Sequence, residues 1–528
     1  MAEKKQYLVE IGIPSIKKYV FATDRLKSIR GASALLAHLN HEKFLMDILN
    51  NDSLLTDIKC ISAGGGAAQF VVTGTKLDIE NKMNELSNVI ARKTGNGLTM
   101  IYGKARYSQE DYSLARRLAI YESNRKRDEE PVLSTSLIHT GYARECDDCS
   151  QIINKENTSP ETALLCNVCQ EKIHFNNTAK KGLWIDFSTF LQNSKGIRIN
   201  KSIDFTDIGK HCKSRHNYTA VVYADGNSMG KIIQQIKSPD EFTFFSQTIE
   251  NAIEESCFEA LYKTYSEIYQ HPLSSFPGEI LLLGGDDLIV YLTADMAFPF
   301  ALDVASRFQQ KTKKSFDCNE GAFFKELTGG EGITISLGIA YGKVNTPISM
   351  LLNQAESLLQ SAKTAGSKNQ TNPYYAPTYI DFHISTLFNQ VDISQCRQHY
   401  LQFDLSHDNL DHSAKSDAPE KHLYLYQKPY ELDDAYKLYA HAKQLSQVIP
   451  GTRLKRFGAA PTLGKVNGTL ETLKLYTNTP KGTQRQAVWD AFNAFDCIQN
   501  MPWKSSDNEQ SQSTMIVDLV ELAGFIGN

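Results

Sequence analysis

No run in this sequence approaches the ~18 consecutive apolar residues of a membrane helix. The N-terminus, MAEKKQYLVEIGI, lacks the pattern of a secretory signal, so the expected location is the cytoplasm. A basic excess is also missing. The formal net charge of −4 excludes a global field that draws in nucleic acid, and any such contact has to come from a local patch. Cysteines are few, and six of the 10 (Cys60, Cys212, Cys257, Cys318, Cys396 and Cys497) are scattered, as reduced thiols are in a reducing compartment. What remains is ordinary globular composition, 41% hydrophobic and 22% charged, over 528 residues, which is too long for one core and implies three or four domains.

The most informative stretch is Glu279–Tyr291. Apolar runs Ile280–Leu283 and Leu288–Tyr291 flank Gly284-Gly285-Asp286-Asp287, the pattern of a β-hairpin with a glycine turn. Two adjacent carboxylates at such a tip repel each other and lose hydration, an arrangement that a divalent cation makes favourable. Magnesium binds through one or two carboxylates plus substrate phosphates, so the hairpin points to nucleotide chemistry.

Around it the chain reads as a repeat. Residues 6–13 form a strand, Ile16–Phe21 a short element, Ala34–Leu49 a helix, Asp57–Ser62 and Gln69–Val72 strands around Gly64–Ala68, Thr75–Thr94 a helix and Gly97–Tyr102 a strand. The order recurs as strand Tyr218–Ala224, helix Phe242–Tyr269, the acidic hairpin, helix Ala294–Lys313, strand Gly332–Tyr341 and helix Ile348–Ala365, with Pro347 suited to its first turn. The fold class is α+β, with two ferredoxin-like βαββαβ palm units. In the first, Gly66, Ala67 and Ala68 replace the acidic tip, and such side chains hold no metal.

Between the copies, Cys146, Cys149, Cys166 and Cys169 have C-x2-C-x16-C-x2-C spacing, which lets four thiolates surround one structural zinc. His174 lies nearby and is expected at the surface. Residues 406–421 are polar and acidic, a linker or long loop. Glu431–Val448, Gly482–Met501 and Thr514–Phe525 have helical spacing, and the tail is expected to be a helical bundle. The divisions are 1–130 (first palm), 131–180 (four-cysteine element), 181–215 (connector), 216–372 (second palm) and 373–528 (helical tail).

Asp225 ends the first strand of the second copy, where that strand lies beside the hairpin. Asp225, Asp286 and Asp287 therefore converge, a credible site for two magnesium or manganese ions. The turn Gly226-Asn227-Ser228-Met229-Gly230 offers backbone N–H groups to a triphosphate, and Gly284 and Gly285 let a ligand approach the main chain. Lys363 and Lys231 are cations within reach of phosphates. Arg25, Lys27 and Arg30, and Arg116, Arg117, Arg125, Lys126 and Arg127, are clusters that suit a phosphate backbone.

The ordered set Asp225-Gly-Asn-Ser-Met-Gly230, Gly284-Gly-Asp-Asp287, Ile335-Ser-Leu-Gly-Ile339 and Ala362-Lys363 resembles the catalytic palm of the large subunit of type III CRISPR effector complexes. Ile16–Ser33, ending in IRGAS, resembles that family's first palm, and the cysteines stand where it carries a zinc element. The palm core is shared with GGDEF cyclases and class III nucleotide cyclases. The resemblance implies synthesis of cyclic oligoadenylate from ATP with magnesium. Guide and target RNA and other effector subunits are the implied partners. The chain departs from the family in starting directly at the first palm, without an HD nuclease domain. Its His407-Asp408 pair reads as loop, so DNA cleavage is not expected. Asn227 stands where an acid is common. Two other classes stay open: a stand-alone homodimeric cyclase acting without guide RNA, and a non-catalytic nucleotide- or RNA-binding scaffold. Clustered buried acids speak against the scaffold.

Overall fold

The computed structural model describes all residues except 1–3, 53, 109–110, 130–144, 152–163, 180, 386–392, 405–421, 506–510 and 527–528. Strand β1 (Lys5–Gly12) leads into helices α1 (Ile16–Val20), α2 (Leu26–Leu39) and α3 (Glu42–Leu49). The hairpin β2 (Thr56–Gly64) and β3 (Ala67–Gly74) follows, then α4 (Lys76–Lys93), β4 (Ile101–Arg106) and α5 (Tyr112–Glu129). The strands form one antiparallel sheet in the order β2-β3-β1-β4. A reciprocal capping box of Thr75 and Asp78 starts α4.

The helix expected over Ala34–Leu49 is two helices, broken where the His41 side chain accepts a hydrogen bond from the Lys43 amide and caps α3. The first of them starts earlier and absorbs the Gly31-Ala32-Ser33 segment. Those residues are small because helix α6 (Asn167–Thr178) passes over them: a Cβ on Gly31 would stand 1.7 Å from the Lys172 carbonyl oxygen. The strand expected over Gly97–Tyr102 begins at Ile101.

Helices α7 (Leu183–Lys195) and α8 (Phe205–Lys210) connect to the second unit. It consists of β5 (Tyr218–Gly226), α9 (Met229–Ile233), α10 (Pro239–Ile268), β6 (Gly278–Gly284), β7 (Asp287–Thr293), α11 (Ala294–Ser315), α12 (Ala322–Leu327), β8 (Ile335–Lys343) and α13 (Ile348–Lys368). Pro347 is the N-cap of α13 rather than a residue of its first turn. Strands run β6-β7-β5-β8, the same order as in the first unit. This sheet continues past residue 372: β9 (Tyr379–Ile384) pairs parallel to β8.

The tail comprises α14 (Ile393–Tyr400), β10 (Gln402–Asp404), β11 (His422–Tyr424), β12 (Tyr430–Glu431), α15 (Leu432–Val448), α16 (Gly451–Ala459), α17 (Lys465–Thr477), α18 (Thr483–Ala494), β13 (Lys504–Ser505), β14 (Ser511–Ser513) and α19 (Ile516–Ala523). It is mostly helical. It also holds a small four-stranded sheet, and β12 joins the edge of β9. The buried Arg397–Asp381 pair, bidentate at 2.6 and 2.9 Å, fastens α14 to β9. Residues 406–421, with His407-Asp408, lie outside the described residues. Among the described residues no helix is long and apolar enough to cross a membrane.

The two palms correspond in detail. Each hairpin has a bulge at the same place: the β2–β3 register skips Ile61, and the β6–β7 register skips Leu281. The freed carbonyls are used reciprocally. Ser33 on α2 of the first palm donates to the Leu281 oxygen, and Thr243 on α10 of the second donates to the Ile61 oxygen at 2.7 Å. Beside the first of these bonds, Arg30 pairs with Glu279, both side chains buried. Successive strand residues face opposite sides. Tyr7, Val9 and Ile11 share one core with Val221, Tyr223 and Leu281, whereas Leu8 and Val222 enter another.

Helix backbone also rests on a strand glycine at matching positions. A Cβ on Gly103 would lie 1.8 Å from the Ala119 oxygen of α5, and one on Gly338 would lie 2.1 Å from the Ala355 oxygen of α13. Gly103→Ala and Gly338→Ala are each expected to destabilise by about 1–3 kcal/mol through overpacking. Gly451→Ala, with nothing within 4 Å of the added methyl, should not. Thermal melting of the three variants checks this, and an unchanged melt for Gly338→Ala would overturn it.

Candidate active site

Strand β5 delivers Asp225 and the hairpin delivers Asp286 and Asp287. The β5–β7 register ends at Ala224 opposite Leu288, so Asp225 and Asp287 stand at the next position, beside the turn. The turn is tight because Gly285 has φ 62°. Gly226 opens the space that the acids need: a Cβ there would meet Asp286 Oδ2 at 2.7 Å and Met229 Cγ at 2.6 Å. Burial, with the Asp225 carboxylate alongside, pushes Asp286 up to about 7. Burial and Asp225 likewise push Asp287 up to about 6, opposed by Lys17 and Lys363. Lys363 pairs with Asp225 and donates to the Gly226 carbonyl at 3.0 Å. The ammonium predicted to meet phosphate thus neutralises one of the three acids.

A crowded, desolvated acid cluster beside a glycine cradle fits a hard divalent cation, with Asp225, Asp286 and Asp287 as its oxygen ligands. The carboxylates are spread wider than the cysteines. Among the described residues, the cysteine sulfurs are the one set of three or more potential His, Cys, Asp or Glu ligand atoms all within 4.8 Å of one another. Four sulfurs at that spacing suit tetrahedral zinc. Asp148, between Cys146 and Cys149, accepts from Thr23 at 2.6 Å and Ser28 at 2.5 Å, which keys the cysteine element onto the start of α2. His174 is exposed.

Other predicted residues fall differently. Asn227 turns inward, its amide donating to Thr334 Oγ1 at 2.9 Å. Ser228 is left-handed, with φ 58°, and makes no side-chain cap to α9, which has only 5 residues. Gly230 faces open space. Lys231 reaches Gln370 at 3.3 Å. Most of the first basic cluster is structural: Arg25 bonds the Asp147 carbonyl at 2.8 Å, and Arg30 is the buried partner of Glu279. Arg116 is also structural, bonding the Ile233 carbonyl at 3.3 Å and covering Phe242.

The first palm's tip meets the second's. A Cβ on Gly65 would lie 3.4 Å from the Gly285 nitrogen, so the two turns are backbone against backbone. Gly64 closes on Ala67 as Gly284 closes on Asp287, and Gly12 faces Ala67 where Asp225 stands by Asp287. The three acid positions are therefore Gly12, Gly66 and Ala67 in the first palm. Beside the tips a cleft of roughly 1030 Å³ is lined by both palms, including Lys17, Gly64–Gly66, Glu250, Gly284 and Asp287. Lys17 was not foreseen. It stands on α1 of the first palm, yet lies 3.4 Å from Glu356 and 4.5 Å from the Tyr223 ring, and the Tyr223 hydroxyl reaches Asp287 at 3.4 Å. No local motif marks it, because its partners belong to the other palm.

Residues 218–372 match the protein-family model for Cas10/Cmr2, second palm domain. No curated protein sequence matches the chain. Among solved structures, the chain is similar to a Csm1-Csm4 cassette in complex with cA4 (TM-score 0.58, 13% identity, 99% of this chain and 70% of that one). It is similar to a Csm1-Csm4 cassette in complex with one ATP (TM-score 0.57, 13% identity, 100% and 70%). It is also similar to Csm1 in T.onnurineus (TM-score 0.54, 16% identity, 99% and 70%). The chain has a Csm1-like fold and resembles the large subunit of type III CRISPR effectors.

Two outcomes follow from the geometry. Asp286 has a folded-state pKa of about 7 against an ordinary 3.8, so the folded form holds its proton more tightly, and this group's contribution to stability falls as pH rises through that window. In chelator-treated protein, Asp286→Asn is expected to raise Tm at about pH 8, with the gain shrinking toward about pH 4. A gain equal at both ends would overturn this. The purified chain is expected to carry zinc, and Cys166→Ser to lose it and lower Tm. Full zinc retention by that variant, measured by elemental analysis, would count against the site.

Proposed function

We propose that this Cas10-like chain is the nucleotidyl cyclase of a type III CRISPR effector, joining ATP molecules into a cyclic oligoadenylate. One observation carries the reading: the two hairpin tips touch beside a cleft lined by both palms, and only the second palm's tip bears carboxylates. Among the structures of similar fold, a Csm1-Csm4 cassette is in complex with one ATP in one and with cA4 in another.

In this scheme residues 1–130 are the non-catalytic palm, 131–180 the zinc element, 181–215 the connector, 216–372 the catalytic palm core and 373–528 the helical tail. The first palm, without carboxylates at its tip, holds the acceptor nucleotide with less repulsion of its phosphates. The second holds the donor, whose triphosphate draws Lys363 away from Asp225. Lys17 then presents a cation to the donor's phosphates from across the seam. Asp225, Asp286 and Asp287 would hold a magnesium or manganese ion, which would supply charge neutralisation at the α-phosphate and a lowered pKa for the attacking 3′-hydroxyl. Attack of the 3′-oxygen on the α-phosphorus forms the phosphodiester bond and breaks the bond to pyrophosphate, which leaves. The hydroxyl proton passes to a carboxylate of the cluster or to water. Repetition and ring closure complete the product. Guide and target RNA and the other effector subunits are the partners of this reading, in the cytoplasm.

The test is incubation of the chain, alone and in its assembled complex, with ATP and magnesium, followed by mass analysis. Cyclic oligoadenylate is expected. The double variant Asp286→Ala/Asp287→Ala should lose at least about 100-fold in turnover while its melt stays cooperative. Undiminished product from that variant would sink the proposal.

A further inference from the structure

A pocket of about 460 Å³ lies on the outer edge of the first palm, and none of the acid-site residues lines it. Its wall includes Lys76, Lys104, Arg106, Tyr121 and Arg125. Strand β4, which carries Lys104 and Arg106, is the edge strand of its sheet, so this side faces outward. One acid, Glu122, also lines the pocket, and a second, Glu80, adjoins Lys104. Glu80 pairs with Lys104, and Glu122 accepts from the Lys104 amide at 2.8 Å and lies 3.6 Å from Lys126. Lys126 sits 3.5 Å over the Tyr102 ring. Glu80 also feels the charges of Lys126 and Lys76, and Lys76, Arg106 and Arg125 are exposed to solvent. On the same rim Tyr121 is 67% exposed. On a chain of net charge −4, a local excess of cations beside a bare aromatic ring needs a reason.

Exposed cations around a stacking surface are the elements of single-strand recognition. Cations track the phosphate backbone, and an aromatic face accepts any base. An acidic peptide would satisfy the cations but gain little from the ring. The pocket volume is of the size that accommodates a nucleotide. We propose that this pocket is a binding site for single-stranded nucleic acid, with Lys76, Arg106 and Arg125 on the phosphates and Tyr121 stacked on a base. The site is independent of the triphosphate chemistry, since no residue is shared.

Fluorescence anisotropy of the full chain with labelled 15-nucleotide RNA and DNA, titrated with salt, tests it. Binding to either probe is expected, weakening as salt rises. The variant Lys76→Ser/Arg106→Ser/Arg125→Ser removes three phosphate contacts, so the slope of log affinity against log salt should fall by about 2. Tyr121→Ala should weaken binding at least about fivefold with the slope unchanged. All four side chains are exposed, so the variants are expected to melt as the parent does, and melting curves check this. Asp286→Ala/Asp287→Ala should bind the probes as the parent does, which separates this site from the proposed catalysis. Three results would overturn the proposal: no binding at low salt, an unchanged salt slope in the triple variant, or displacement of the probe by polyglutamate of equal charge.

Discussion

Each palm gives the other a carbonyl that its own sheet cannot use. The bulges at Ile61 and Leu281 leave those oxygens outside the strand ladder, and Thr243 and Ser33 fill the vacancy from the opposite palm. A satisfied hydrogen bond of this kind contributes only about 0.5–1.5 kcal/mol net, but a buried carbonyl left unpaired costs about 1–3 kcal/mol. Packing the palms out of register would leave both oxygens buried and unpaired, and separating them would expose the core that Val9 and Ile11 share with Val221 and Tyr223. The reciprocal bonds therefore set the relative position of the palms, and with it the contact of Gly65 with Gly285.

That contact explains the electrostatics. With the tips touching, the acids lie in a partly desolvated seam, where Asp286 and Asp287 ionise less readily than in water. Lys363 and Lys17 come from opposite palms to offset the charge. An apposition of two acidic tips would double the repulsion. Gly12, Gly66 and Ala67 avoid it, so the loss of acids in the first palm is a condition of packing this closely as well as a loss of metal-binding capacity.

Much of the architecture could be read from residue order. The two βαββαβ units, the acidic hairpin, the spacing of Cys146, Cys149, Cys166 and Cys169, and most strands followed from short-range patterns that local backbone chemistry enforces. Misreadings came where a tertiary neighbour changed the meaning of a local signal. The helix expected over Ala34–Leu49 excludes Gly31-Ala32-Ser33, yet that segment is helix, made small to admit α6. Arg30 looked like a surface cation, yet it is buried against Glu279. Asn227 looked like part of a nucleotide loop, yet its amide is turned toward Thr334. Helices α16 and α17 escaped notice because Pro450, Pro461 and Gly464 interrupt the apolar period.

By itself the sequence determined the chemical inventory: which acids, thiols and glycines exist and which strand or turn carries each, since pairing period and turn chemistry act over a few residues. Only the tertiary structure decided which of them meet. The reach of Lys17 toward Asp287, the pairing of Lys363 with Asp225 and the crossing of Ser33 to Leu281 join positions far apart along the chain. Nothing in the local sequence encodes such distances, because they are set by how two sheets bury a common core.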